Sequence, residues 1–96
     1  MTHDEINAWF IETYPDDEFL LADGFEDAFI GVVTGMQRAP VACYDRARCI
    51  TVLTTRDGMT TEDAEEYFAF NVEGAWVGEQ TPVFLDAFPV PMKVPA

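Results

Sequence analysis

The sequence lacks several residue types on which common enzyme mechanisms depend. None of the 96 residues is a serine, which excludes a serine nucleophile. The single lysine, Lys93, lies in a proline-rich stretch, where neither a phosphate-binding loop nor a Schiff base is expected. The single histidine, His3, lies close to the amino end, where chains usually fray. Because histidine is the usual general base at neutral pH, acid–base catalysis would depend on carboxylates.

Cysteine is also scarce. Cys43 and Cys49 lack the paired spacing and the histidine partners of a zinc site. No basic-then-apolar leader indicates export, so we expect a cytoplasmic protein whose thiols stay reduced. Asp45 can cap a helix between the two cysteines, so their side chains need not point at each other. The sequence therefore predicts two reduced thiols, no metal site and no cofactor.

Basic residues are outnumbered by acidic residues. Five Lys+Arg against 18 Asp+Glu give a formal net charge of −13. Such a chain repels phosphate backbones and anionic lipids, so we expect neither direct nucleic-acid binding nor membrane binding. No apolar run approaches the roughly 18 residues of a membrane span. The 49% hydrophobic content excludes a disordered chain, and the length indicates one domain.

The charges are segregated along the chain. Residues 1–27 contain nine acidic residues and residues 57–86 contain eight, with no Lys or Arg in either range. All four arginines fall within residues 38–56. We therefore expect a basic central helix to pair with acidic neighbours. Even if every arginine is paired, most carboxylates have no partner.

Hydrophobic spacing predicts three helices, each preceded by a residue that can cap it. The first helix begins at a capping box formed by Thr2 and Glu5 and ends before Pro15. The second comprises residues 46–56 and is capped by Asp45. The third comprises residues 61–72 and is capped by Thr60.

Three apolar runs predict strands. Residues 28–33 and 41–44 are expected to form an antiparallel hairpin, and 82–85 a third strand. The sequence thus predicts an α+β fold, a single small domain over residues 1–86. Its three-stranded sheet is antiparallel or mixed, with the helices packed on one face. Residues 87–96 contain three prolines and are expected to be an extended tail.

The densest acidic cluster lies in the third predicted helix. Its carboxylates are Glu62, Asp63, Glu65 and Glu66. A helix rise of about 1.5 Å per residue gives one charge every ~2 Å, close to the ~1.7 Å charge spacing of duplex DNA. A solvated helix face is the alternative interpretation. A second group, Asp16, Asp17 and Glu18 with Asp23, Glu26 and Asp27, does not match a calcium loop.

Two aromatic residues are candidate contacts for a partner. Phe70 falls off the apolar stripe predicted for its helix, which comprises Ala64, Tyr67, Phe68 and Val72. Such an offset implies either a second layer or dimer, or a hydrophobic patch facing solvent. Trp76 is flanked by glycines. Tryptophan in a small domain is more often in the core, so we expect burial, with an exposed anchor as the alternative.

The order of several motifs resembles a family of small acidic proteins encoded by bacteriophages and prophages. The motifs are Asp23-Gly-Phe-Glu-Asp-Ala-Phe-Ile-Gly31, Cys43-Tyr-Asp45, Cys49-Ile50, Asp57-Gly-Met59, Glu65-Glu-Tyr-Phe-Ala-Phe-Asn-Val72, Gly74-Ala-Trp-Val-Gly-Glu79 and Thr81-Pro-Val-Phe84. The resemblance covers about residues 20–85. It implies an accessory role in the cytoplasm of an infected bacterium, and it implies no catalytic residues.

Three hypotheses for the function remain open. The preferred one is a non-catalytic protein that binds a basic surface on a host or phage protein, in its sharpest form as a nucleic-acid mimic that inhibits a nucleic-acid-binding enzyme. The contact would be made by Glu62, Asp63, Glu65 and Glu66, with Asp16, Asp17 and Glu18 on a neighbouring surface. The second is a structural or homodimeric module with Phe70 and Trp76 at its interface, whose acidity serves solubility. The third is a small carboxylate- or metal-dependent enzyme.

Overall fold

The computed structural model describes residues 2–35 and 38–88, without the side chain of Arg38. The helices of this part are α1 (His3–Thr13), α2 (Arg46–Arg56) and α3 (Thr61–Phe68), and the strands are β1 (Phe29–Gly35), β2 (Arg38–Asp45) and β3 (Val83–Leu85). A 3-10 turn (Glu26–Ala28) precedes β1, and a π-helical segment (Ala69–Glu73) continues α3. The predicted small α+β domain is confirmed. Most of the predicted tail, residues 89–96, lies outside the described residues.

The sheet is mixed, with β2 at its centre. β1 is antiparallel to β2, and β3 is parallel to β2. Tyr44 of β2 lies opposite Phe29 of β1 and Phe84 of β3. The register of the hairpin shifts between Phe29 and Gly31, where the glycine has a φ of 152°. This irregularity is the bulge that a glycine inside a strand indicates.

The predicted helix caps are all present. Thr2 and Glu5 form both hydrogen bonds of the capping box. The Asp45 side chain accepts a hydrogen bond from the Ala47 N–H, and the hydroxyl of Thr60 accepts one from the Asp63 N–H. These bonds satisfy amide donors that the helix cannot pair internally. They account for each helix beginning at the predicted residue.

The third helix differs from its prediction in its last turn. Residues after Phe68 are π-helical rather than α-helical, and Gly74 closes the segment by donating its N–H to the Ala69 carbonyl over 3.0 Å. A Cβ at Gly74 would lie 2.8 Å from that carbonyl oxygen, so the position requires glycine. The prediction located the helix and its end but not this change of pitch.

The core lies between the helices and one face of the sheet. It comprises Ile6, Phe10, Phe25, Ala28, Phe29, Ala42, Tyr44, Cys49, Ile50, Leu53, Ala64 and Phe68. The predicted packing of the helices on one face is confirmed. None of the helices of the described residues is long and apolar enough to cross a bilayer.

Two expectations of burial were wrong. Trp76 is 74% exposed, because it follows Gly74, where the helix ends, and so no longer belongs to the helix face that packs on the core. Tyr67, expected on the apolar stripe, is 43% exposed. Its neighbour Phe68 and Ala64 are fully buried and already fill the contact with the core.

Candidate functional site

An exposed stripe of α3 and the π-helical segment combines acidic and aromatic side chains. Asp63, Glu66, Tyr67, Phe70 and Asn71 together line one shallow concavity. Their spacing of three, one, three and one residues places them on the same side of a helix. We call these five residues the acidic–aromatic face. All five are exposed, whereas the core-facing residues of the same helix are fully buried.

The two aromatic side chains of the acidic–aromatic face are both exposed. Phe70 is 77% exposed and Tyr67 is 43% exposed. Phe70 lies in the π-helical segment, where the side-chain amide of Asn71 donates to the Tyr67 carbonyl over 3.1 Å. Within the described part of this chain no second layer covers Phe70, so its side chain is open either to solvent or to a second copy of the chain. The π-helical segment forms the carboxyl end of the helix, where π-turns occur commonly.

Arg46, the first residue of α2, separates one carboxylate from the rest of the acidic cluster. Its guanidinium pairs with Glu65 at 2.7 Å and with Glu73 at 3.1 Å. It also lies 5.4 Å from the centre of the Phe68 ring. The hydrogen bond from Arg46 lowers the pKa of the Glu65 carboxyl below its usual value. Glu65 therefore links α3 to α2 through Arg46, with part of its side chain still exposed.

The other three carboxylates of the cluster face solvent. Glu62, Asp63 and Glu66 are exposed, and they form no ion pair with any residue that the structure describes. Asp63 and Glu66 belong to the acidic–aromatic face, and Glu62 lies on the same helix. Three of the four predicted carboxylates are thus available to a partner.

The arginines whose side chains the structure describes form ion pairs within the molecule. Besides Arg46, Arg48 lies 3.4 Å from Asp45, and Arg56 lies 3.0 Å from Asp57. Arg56 also donates to the Gly24 carbonyl over 2.6 Å. Every arginine whose side chain is described thus has an internal carboxylate partner. The predicted pairing of the basic segment with acidic neighbours is confirmed, and the surplus of charge left for the surface is negative.

The remaining predicted contacts lie elsewhere. Asp16, Asp17 and Glu18 are exposed in the loop after α1, and the last two line a separate concavity with Asn7 and Gln80. Trp76 is exposed but is not among the residues that line the acidic–aromatic face. The structure therefore unites Asp63, Glu66 and Phe70, and it does not bring the acids of the loop into the same concavity.

An apolar groove adjoins the acidic–aromatic face. Its lining comprises Leu20, Leu21, Ala22, Asp23, Phe25, Asn71, Val72, Ala75, Val77, Thr81, Pro82 and Phe84. Asn71 lines both the groove and the acidic–aromatic face. Val77, next to Trp76 in sequence, is 63% exposed at the groove. Apolar area is therefore available beside the carboxylates.

The cysteines do not form a reactive centre. Both are free and buried, as expected from the sequence. Burial raises the pKa of the Cys43 thiol, and it raises the pKa of the Cys49 thiol to about 12. Thiols in this state are poor nucleophiles and poor metal ligands at neutral pH, because both roles require the thiolate.

Three other side chains can offer ligand atoms to a metal ion. These are His3, Asp23 and Glu26, whose ligand atoms all lie within 4.8 Å of one another. Sequence reasoning considered the two carboxylates as part of an acidic loop and set the histidine aside. No sequence pattern joins residue 3 to residues 23 and 26, because tertiary packing alone brings α1 against that loop.

Comparison with known proteins gives no match: no family model, no curated protein and no solved structure matches this chain.

Proposed function

We propose that this protein acts by binding, and that the acidic–aromatic face contacts a basic surface on another protein. The observation that supports this most directly is the shared concavity of Asp63, Glu66 and Phe70. A phenylalanine that is 77% exposed contributes little to the isolated domain. At an interface, a buried aromatic side chain is a frequent source of binding energy. Carboxylates around it would select a partner that is basic as well as apolar.

The charge distribution also favours a partner with a basic surface. The described arginine side chains have internal partners, so the protein presents mainly carboxylates to its surroundings. A net charge of −13 attracts a basic surface from a distance and accelerates the encounter. Single exposed ion pairs contribute little, so we expect the aromatic contacts to set the lifetime of the complex and the charges to set its rate of formation.

We further propose that the partner is a nucleic-acid-binding protein. Glu62, Asp63 and Glu66 place three charges along about 6 Å of the helix axis, an average of one every ~3 Å, which is close to the ~3.4 Å spacing of phosphates along one DNA strand. The resemblance to phage-encoded acidic proteins favours a host enzyme in the bacterial cytoplasm. If the proposal holds, duplex DNA competes with this protein for the partner.

Affinity capture from a bacterial lysate followed by measurement on the purified partner tests the proposal. The test variant is Glu62→Gln, Asp63→Asn, Glu66→Gln, and a second variant is Phe70→Ala. The matched control, Glu12→Gln, Glu79→Gln, Asp86→Asn, removes the same charge from other exposed positions. We expect the test variant to lose affinity at about 0.1 M salt and to approach the wild type at about 1 M, because the Debye length falls from about 10 Å to about 3 Å.

The outcomes separate the hypotheses. Phe70→Ala should weaken binding at both salt concentrations, since an apolar contact is not screened. The control should bind more tightly than the test variant at low salt. If the test variant binds its partner as the wild type does at every salt concentration, the acidic face serves only solubility. If Phe70→Ala instead converts a dimer to a monomer in size-exclusion chromatography, the aromatic residues form a homodimer interface.

A further inference from the structure

The imidazole of His3 and the carboxylates of Asp23 and Glu26 converge on one point of the surface. The Nδ1 atom of His3 lies 3.6 Å from Oδ1 of Asp23, and a ligand atom of each of the three residues lies within 4.8 Å of the others. We propose that these three side chains bind a divalent transition-metal ion, Zn²⁺ in the first place. This site is independent of the acidic–aromatic face, to which none of the three residues belongs.

The distances suit a small ion. Zinc lies about 2.0–2.2 Å from nitrogen and oxygen ligands, so two ligand atoms of one ion are at most about 4.4 Å apart. The side chains of His3 and Asp23 are 45% and 86% exposed, respectively. Their ends can therefore rotate by the small amount that brings all three ligand atoms onto one ion.

The backbone that presents the ligands is held in place by hydrogen bonds. His3 begins α1 directly after the capping box of Thr2. On the opposite loop, the Tyr44 hydroxyl accepts the Ala22 N–H at 2.9 Å, and Arg56 donates to the Gly24 carbonyl over 2.6 Å. The Gly24 N–H donates to Oε1 of Glu26 over 3.3 Å. Such secondary contacts orient a ligating carboxylate.

The donor set selects the class of metal. One imidazole nitrogen with two carboxylates is a set that suits Zn²⁺ and related ions, whereas Mg²⁺ and Ca²⁺ prefer oxygen ligands throughout. The imidazole is also what distinguishes this group from an exposed acidic patch. Three protein ligands leave a further coordination position for water or for a side chain of a partner. The net charge of −13 favours any cation at the surface.

Calorimetric titration of the full chain with ZnCl₂ tests the proposal, with protein purified without a histidine tag and stripped of metal by a chelator. We expect one ion to bind per chain. Because loss of even a secondary contact costs about 10–100-fold in metal affinity, His3→Gln, Asp23→Asn and Glu26→Gln should each lose at least about tenfold. The matched control Asp17→Asn, which removes one exposed carboxylate elsewhere, should bind as the wild type does. Titrations with MgCl₂ and CaCl₂ should show much weaker binding.

A second measurement needs no variant. His3 is the only histidine, so nitrogen-15 NMR of the imidazole gives one assignable pair of ring nitrogens. We expect one of them to shift strongly on addition of one equivalent of Zn²⁺. If the imidazole resonances do not change while zinc binds, or if His3→Gln binds zinc as tightly as the wild type, the ion associates with acidic residues in general and the proposal is wrong. Absence of zinc binding to the wild type also overturns it.

Discussion

The hydroxyl of Tyr44 joins the centre of the sheet to the loop that contains Asp23 and Glu26. Tyr44 is fully buried, and its hydroxyl oxygen accepts the Ala22 N–H over 2.9 Å across 22 positions of sequence. The substitution Tyr44→Phe removes this acceptor and leaves the packing of the ring unchanged. It therefore isolates the contribution of one hydrogen bond to the position of the loop.

The expected loss of stability follows from the surroundings of Ala22. A backbone N–H left without an acceptor costs about 1–3 kcal/mol when it is buried. Because Ala22 is only half-buried, a water molecule can replace Tyr44 as acceptor for its N–H and so reduce this cost. We therefore expect Tyr44→Phe to lower the free energy of unfolding by about 1–2 kcal/mol. For a domain of this length, each kcal/mol lowers the midpoint of thermal unfolding by about 4–8 °C.

Urea unfolding gives the change in free energy, and amide hydrogen exchange locates it. The Ala22 amide should lose protection in Tyr44→Phe. The matched control is Tyr14→Phe, because Tyr14 is half-buried and its hydroxyl has no hydrogen-bond partner among the described residues. The reasoning is refuted if both variants stay within about 0.5 kcal/mol of the wild type, the usual range for a neutral substitution.

Three further predictions concern pH, packing and backbone conformation. Burial raises the pKa values of Tyr44 and Cys49 to about 12, so at high pH the folded state retains protons that the unfolded state releases. The free energy of unfolding, measured with urea, should therefore fall between about pH 9 and pH 12. A urea midpoint that does not change over this range contradicts the prediction. Phe68→Ala should cost about 3–5 kcal/mol of unfolding free energy, whereas the exposed Phe70→Ala should be nearly neutral; equal losses would contradict the assigned burial. Gly58 has a φ of 70°, and no atom lies near the position of a Cβ added there. Gly58→Ala should therefore lower the free energy of unfolding by about 1–2 kcal/mol through backbone strain alone, and a variant more stable than the wild type contradicts this prediction.

Local chemistry was sufficient to predict the helices and the hairpin. The capping side chains at Thr2, Asp45 and Thr60 act on amides two or three residues away, so the sequence contains the whole interaction. The bulge at Gly31 was predictable for the same reason, since glycine inside a strand weakens regular pairing. These features depend on neighbours along the chain.

Features that depend on distant residues could not be predicted. The exposure of Trp76 depends on where the chain goes after the π-helical segment, and the change of pitch at Ala69 has no pattern in the sequence. The position of Phe70 outside the apolar stripe indicated that its side chain is either exposed to solvent or covered by a second layer or a dimer partner. The sequence did not indicate which of these applies. The approach of His3 to Asp23 requires α1 to pack against a loop twenty residues later.

The carboxylates of α3 differ in whether they have a partner within the molecule, and this difference bears on whether the acidic residues serve binding or only solubility. Glu65 stabilises the fold through Arg46, but Glu62 and Glu66 stand four residues apart on one helix, where like charges repel each other. Solubility of a small domain requires a net charge of only about 2–8, less than the 13 present here. Repulsion of this kind lowers the stability of the isolated domain, and no ion pair with a described residue offsets it at Glu62, Asp63 or Glu66. The helix dipole acts against it only at Glu62 and Asp63, which lie in the first turn of α3. A basic partner surface would offset it, because binding replaces repulsion within the helix by attraction across an interface. The variant that neutralises these three carboxylates loses the repulsion and the dipole interaction together. Its free energy of unfolding, measured with urea, should therefore stay within about 1 kcal/mol of the wild type even where it binds less tightly, and a larger change contradicts this balance.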